Sequence, residues 1–353
     1  MICFISAFIG IEVTQRRTVF PSHPMKFHSS PIVHRDSRNP ILTANDIPYP
    51  AELVFNAGIV KYGKEYVMAF RNDLGKLQTP GDRSTWTWES TTIGIARSQD
   101  GISWTPDPEP IDLDFDRRMF VRAYDPRLSI VEGRLLLCVA LDSKHGLCGG
   151  IATTSDLHHF HLVHITAPDN RNLAFFPDKI NGRYLLMERP LNMYSKGGKE
   201  HFGIWLAESP DLEFWGRHRL LLACDNVPFG QLKIGPGAPP IRTPRGYLVL
   251  FHAVHYTPEM TDSYSEWHKV YSIGAMLLDL ERPDHIIGMG MTPLLYPEVP
   301  YELAGFRGRV LFPGAVIPED DGTVKIYYGA ADTVECLATA KLDDLLDFCT
   351  PMK

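Results

Sequence analysis

"FNAGIVKYGKEYVMAFRND", residues 55–73, reads as two apolar strands joined by a tight turn. Between the strands, Tyr62-Gly63-Lys64-Glu65 carries a glycine that takes positive φ without steric cost, which is hairpin chemistry. One hairpin fits many folds. The same design recurs as "YDPRLSIVEGRLLLCVALDS" (124–143), "LAFFPDKINGRYLLMERP" (173–190), "GAPPIRTPRGYLVLFHAVH" (237–255) and "FPGAVIPEDDGTVKIYYGAAD" (312–332). Their turns, VEGR, INGR, TPRG and EDDG, again place Gly or charge where the chain reverses. Further strand-like runs follow most copies, such as "TTIGIARSQDGISW" and "FGIWLAESPDLEFW". Four strands per unit, five units and almost no helical periodicity predict an all-β, five-bladed β-propeller. Two stacked β-sandwiches would not repeat this order at intervals of roughly 50 to 75 residues. The stretches 74–92 and 256–270 read as loops over one rim.

Composition sets outer limits on function. The chain has 353 residues, a net charge of −7, 22% charged and 44% hydrophobic residues. That balance suits a globular protein with an ample core and argues against a nucleic-acid surface, which needs a basic face. The six cysteines lie far apart without a CxxC pair, as expected of a reduced, cytoplasmic protein. The opening "MICFISAFIGIEV" is apolar but has no positive leader or small-residue cleavage site before "TQRR". It is also too short to span a membrane. Met25 opens "MKFHSSPIVHRDSRNPIL", which reads like a natural beginning. The expected organisation is an N-terminal extension, 1–38, before a single catalytic propeller domain, 39–353.

In a propeller the inner strand of each blade lines the axis, so polar residues beside those strands converge. Asn56 with Arg71, Asp125 with Arg127, Arg171 with Arg189, Lys233 with His252, and Asp332 form such a set. A purely structural propeller would line its axis with small or apolar residues. Asp125 is the oddest member, because a strand does not need an Asp-Pro at its mouth for stability. An Asp-Pro turn that merely caps a strand is the plain alternative, and each cation alone could be a surface ion pair. Other features carry less. "DLHHFHLVH" (156–164) would split its histidines between two strand faces, and "GPG" (235–237) lacks the GK[ST] and helix of a nucleotide loop.

The inner strands resemble those of glycoside hydrolase family 130, the inverting β-mannoside phosphorylases and their few hydrolytic relatives. The likeness rests on "NPIL", "FNAG", "YDPRLS", "FPDKINGRYLLMERP", "LKIGPGAPPI", "FHAV" and "FPGAVI" with "YYGAAD", spread over all five units. The resemblance implies a mannoside held at the axis, with Asp125 as the catalytic acid. That acid would protonate the glycosidic oxygen through the mannosyl 3-hydroxyl, while phosphate attacks the opposite face to give α-mannose 1-phosphate. It further implies phosphate held by Arg171, Arg189, Lys233 and His252. Mannosyl hydroxyls would be held by Asn56, Arg71 and Asp332, with Arg127, Asn172, Tyr124 and Tyr328 as further substrate-binding positions.

Elementary chemistry is consistent with one carboxylate. An inverting hydrolase needs a second carboxylate to activate water, whereas phosphate arrives as an anion and needs a cationic cradle. The expected partners are therefore a β-mannoside, either mannosyl-glucose or a manno-oligosaccharide, and inorganic phosphate as co-substrate. No cofactor, nucleic acid or membrane is implied, and a homo-oligomer is left open. Two other readings share the residues: an inverting β-mannosidase using water, and a non-catalytic glycan-binding propeller. Linkage and acceptor depend on rim loops, where Tyr264, Trp267 and His268 suggest an acceptor platform.

Overall fold

The structure, a computed structural model, describes residues 26–79, 82–191, 201–257 and 268–351, with backbone alone at 82–84. Among these residues the chain forms five sheets, each built outward from an inner strand. Blade 1 runs Leu53–Tyr62, Glu65–Thr79, Asp82–Ser98 and Thr105–Pro106. Blade 2 runs Phe120–Val131, Arg134–Ser143, Gly146–Thr153 and His159–Ile165, with Asp112–Asp114 added in parallel at its outer edge. Blade 3 comprises Asn170–Phe175, Tyr184–Pro190, Ile204–Ser209 and Gly216–Leu222. Blade 4 comprises Lys233–Pro236, Gly246–Tyr256, Lys269–Leu278 and Ile286–Met289, with Ile241–Thr243 also pairing to its second strand. Blade 5 comprises Leu311–Pro318, Thr323–Ala330 and Val334–Lys341. The fold is the expected five-bladed, all-β propeller.

The core lies between blades. Five apolar clusters fill the five blade-to-blade interfaces, for example Leu250, Ile273, Leu311 and Ile326 between blades 4 and 5. Burying about 25 cal/mol per Å² of apolar surface at each interface stabilises the ring and leaves the axis free for polar groups. That division of labour is what permits a charged centre.

Two expectations change. The fifth blade is completed by His34–Arg35, whose register pairs His34 with Thr339 and Arg35 with Ala338. Arg35 also donates to Glu302, Nε to Oε1 at 2.7 Å and Nη2 to Oε2 at 2.9 Å. A domain boundary after residue 38 would therefore cut through the closure of the ring. A two-residue strand has no periodicity to read, so its partner was invisible in sequence. Residues 1–25 lie outside the described residues. The second change concerns 74–92, expected as a loop. Residues 74–79 and 82–92 continue the Glu65–Thr79 and Asp82–Ser98 hairpin, paired through Thr79 and Asp82, as an arm over the rim. Of the other expected loop, 258–267 lies outside the described residues.

Candidate active site

The inner strands of blades 1, 2 and 3 share one irregularity. Pairing with the second strand shifts between Phe55 and Gly58, between Tyr124 and Arg127, and between Arg171 and Ala174. Each bulge holds one residue in the left-handed region: Asn56 at φ 55°, Asp125 at φ 52° and Asn172 at φ 59°. Asn and Asp tolerate that conformation better than other side-chain-bearing residues, and a bulge bends the strand and re-aims its side chain. Pro126 fits because a bulge leaves its missing N–H unneeded. The Asp-Pro of blade 2 is thus a device for turning a carboxylate toward the axis.

Asp125 is gripped on arrival. Its Oδ1 accepts from Asn56 Nδ2 at 3.0 Å and from Arg71 Nη1 at 3.1 Å. Arg71 also donates from Nε to Asp73 Oδ2 at 2.7 Å, and its guanidinium lies 4.7 Å from the Phe55 ring and 4.7 Å from the Tyr124 ring. Burial alone would push the Asp125 carboxyl up, yet Arg71, the Asn56 amide, Arg127 and Arg171 together hold it below the ordinary aspartate value. Asp332, at φ 50° in blade 5, goes the other way. Burial dominates there, only partly offset by Arg307 and Arg71, and its carboxyl is raised. Two carboxylates of opposite inclination therefore share one site.

A cavity of about 290 Å³ opens at this point, and Asn56, Arg71, Tyr124, Asp125, Arg171 and Asp332 line it. Trp88, Arg122, Tyr271, Arg307, Val310 and Phe312 line it as well, none of them singled out in sequence. Trp88 had a usable signal, since "STWTWES" alternates like a strand. Arg307, in "GFRGR", had none.

A second cluster adjoins the cavity on blades 3 and 4. Arg189 stands opposite Arg171 across the sheet and is buried. Its Nη1 lies 2.8 Å from His252 Nε2. Arginine only donates, so His252 accepts there and carries its proton on Nδ1. Burial first, then Arg189, Lys233 and Arg171, push the His252 pKa well below its usual value. His252, expected beside the phosphate with Arg171, Arg189 and Lys233, is therefore a neutral imidazole that orients Arg189. Lys233 is buried with Nζ 5.6 Å from the Tyr271 ring. Arg171 Nε and His252 Nδ1 are buried donors with no hydrogen-bond partner among the described residues. Such orphans are destabilising unless a ligand satisfies them.

Three further expectations meet the structure differently. Arg127, expected at the substrate, donates to the backbone oxygens of Gly237 (2.8 Å), Asn56 (3.0 Å), Pro126 (2.7 Å) and Pro313 (3.3 Å). It ties blades 1, 2, 4 and 5 together beneath the cavity, its donors engaged by the frame. Tyr328, also expected at the sugar, is buried in the blade 4–5 core and donates to Glu302 Oε1 at 2.9 Å. Asn172 sits on its bulge beside Arg171 but off the cavity wall, its Oδ1 without a partner among the described residues. Of the suggested acceptor platform, Tyr264 and Trp267 lie outside the described residues, and His268 packs edge-on to Tyr256 at 5.6 Å.

Comparison with known proteins follows the same lines. The family model for glycoside hydrolase family 130, described as beta-1,4-mannooligosaccharide phosphorylase, matches residues 23–351. A beta-1,2-mannobiose phosphorylase of Listeria innocua is 34% identical over 255 residues, 72% of this chain and 67% of that protein. A beta-1,4-mannooligosaccharide phosphorylase of Ruminococcus albus is 30% identical over 331 residues, 90% of each. The solved structure of a Listeria innocua beta-1,2-mannobiose phosphorylase with beta-1,2-mannobiose superposes with a TM-score of 0.76. That superposition, at 26% identity, covers 90% of this chain and 99% of the other.

Proposed function

The chain belongs to glycoside hydrolase family 130, and from that premise we propose how it acts. It is a β-mannoside phosphorylase, transferring a mannosyl group to inorganic phosphate with inversion to give α-mannose 1-phosphate and the shortened sugar. The substrate is a mannosyl-glucose or a β-manno-oligosaccharide. The two relatives described differ in linkage, 1,2 in one and 1,4 in the other.

The observation that carries this reading is the pairing of unlike walls across one cavity. Blades 1 and 2 present a clamped carboxylate, and blade 3 presents Arg171, whose Nε has no hydrogen-bond partner among the described residues, with Arg189, Lys233 and His252 buried beyond the cavity wall. Phosphate beside Arg171 would satisfy its Nε donor, and the phosphate charge would raise the neighbouring Asp125 carboxyl. Asp125 then takes up its proton as the complex assembles and passes it through the mannosyl 3-hydroxyl to the leaving oxygen. A phosphate oxygen forms the new bond to the anomeric carbon as the glycosidic bond breaks. The proton of hydrogen phosphate is released in exchange, so the balance closes. Asn56 and Arg71 orient the carboxylate, and Asp332, protonated more readily, hydrogen-bonds the sugar.

No cofactor is needed for these steps. A cytoplasmic setting, with phosphate plentiful, fits the five free and buried thiols among the described residues. No helix among those residues is long and apolar enough to cross a membrane. The test is incubation with β-1,2- and β-1,4-mannobiose, with and without phosphate. Mannose 1-phosphate should form only with phosphate. Free mannose released at the same rate in both cases would establish hydrolysis instead, and no turnover of either would favour a binding propeller.

A further inference from the structure

Beyond blade 1, the Glu65–Thr79 and Asp82–Ser98 hairpin arm carries Trp86 opposite Leu77 and Trp88 opposite Gly75. Gly75 leaves room that a Cβ would fill, since one built there would lie 2.6 Å from the Trp86 ring. The Trp86 ring packs 5.0 Å from Phe306, and Trp88 lies 5.8 Å from Phe306 and 5.6 Å from Trp86. Phe306 precedes Arg307, whose Nη1 donates to Asp332 Oδ2 at 3.3 Å. The arm is therefore pinned across the rim to the segment that holds Asp332. Trp88 ends on the cavity wall, 39% exposed, with the guanidiniums of Arg122 and Arg71 at 5.0 Å and 5.9 Å from its ring. Arg122 is held in turn by Asp142, Nε to Oδ2 at 2.5 Å.

A tryptophan left this exposed in a polar, cation-lined cavity is not explained by packing alone. Its broad apolar face and rigid mounting suit the C–H face of a pyranose ring. Its position says which ring. An inverting displacement places nucleophile and leaving group on opposite faces of the anomeric carbon. With phosphate on blades 3 and 4, the leaving sugar lies toward blades 1 and 2, where Trp88 and Arg122 stand. We propose that Trp88 is the platform on which the acceptor unit, the sugar released by phosphorolysis, stacks, and that it helps set acceptor specificity. This rests on the phosphorylase reading above.

The test is synthesis from mannose 1-phosphate and a panel of acceptor sugars by wild type, Trp88→Phe and Trp88→Ala. Trp88→Ala should raise the acceptor KM tenfold or more and change the mannose 1-phosphate KM less than twofold. Trp88→Phe should retain most of the affinity. An unchanged acceptor KM in Trp88→Ala overturns the proposal. So does a parallel rise of both KM values with a lowered Tm in both variants, which would mark Trp88 as a hairpin anchor. A wild-type protein that couples no acceptor to mannose 1-phosphate refutes the phosphorylase reading itself, and this proposal with it. That result is distinct from an active wild type with an indifferent Trp88→Ala.

Discussion

Arg71 in blade 1 and Arg189 in blade 3 occupy the same place in their sheets. Each lies on the second strand, opposite the residue that precedes the inner-strand bulge. Arg71 meets carboxylates, Asp73 and Asp125, whereas Arg189 meets the neutral imidazole of His252. The blade 1 arginine is thereby a clamp that positions a carboxylate. The blade 3 arginine joins Arg171 and Lys233 in a positive field strong enough to help keep His252 unprotonated. One backbone position serves two chemistries because the neighbours, and not the residue, decide where its charge is directed.

The largest effect is expected at Asp125, the carboxylate that Arg71 clamps. Asp125→Asn keeps the shape and removes the proton, so turnover should fall on the order of 100-fold or more while mannoside binding survives in calorimetry. Activity above a tenth of wild type would assign the proton elsewhere.

Removing the two arginines one at a time should separate their roles. Arg189→Ala, or Lys233→Ala, should raise the phosphate KM about tenfold or more, because each charge-assisted contact is worth roughly 1.5–3 kcal/mol. The mannoside KM should move less than twofold. Arg71→Ala should instead lower turnover and let the Asp125 carboxyl rise, since its strongest opposing charge is gone. Activity requires that carboxyl protonated, so the fall of rate at high pH should move upward. If both variants changed phosphate KM alike, the two arginines would not be functionally distinct.

The smallest effect concerns the support under blade 1's bulge. Glu335 is buried, accepts from the Ala57 N–H at 3.1 Å, and leaves Oε1 without a partner among the described residues. Burial raises its carboxyl to about 8 against an ordinary 4.5, Ala57 and Arg127 offsetting only part. A raised folded pKa means that stability is fully present below the unfolded value and is lost as pH rises through the folded one. Melting temperatures from pH 5 to 9 should therefore fall more steeply for wild type than for Glu335→Gln, which has no proton to lose. Parallel curves would show that Glu335 does not titrate in this range.

Much of the architecture was legible because its signals are local. Hairpin glycines, two-residue alternation and five recurrences of one pattern need no knowledge of distant neighbours. That pattern placed Asn56, Arg71, Asp125, Arg171 and Asp332 at one axis, and the structure brings all five to one cavity. Even the oddity of Asp125-Pro126 was visible, although its cause, a left-handed bulge residue, was not.

The remaining features depend on contacts between blades. Arg127 and Arg171 read alike as cations beside inner strands, yet one is engaged by four backbone carbonyls and the other lines the cavity. The protonation state of His252 follows from burial among Arg189, Lys233 and Arg171, groups far apart in sequence. The ring closure by His34–Arg35 and the approach of Trp88 to Phe306 are likewise encounters of remote segments. Periodicity and turn chemistry are short-range properties, written residue by residue. Desolvation and charge pairing are set by whichever groups the closed ring brings together, and so belong to the fold alone.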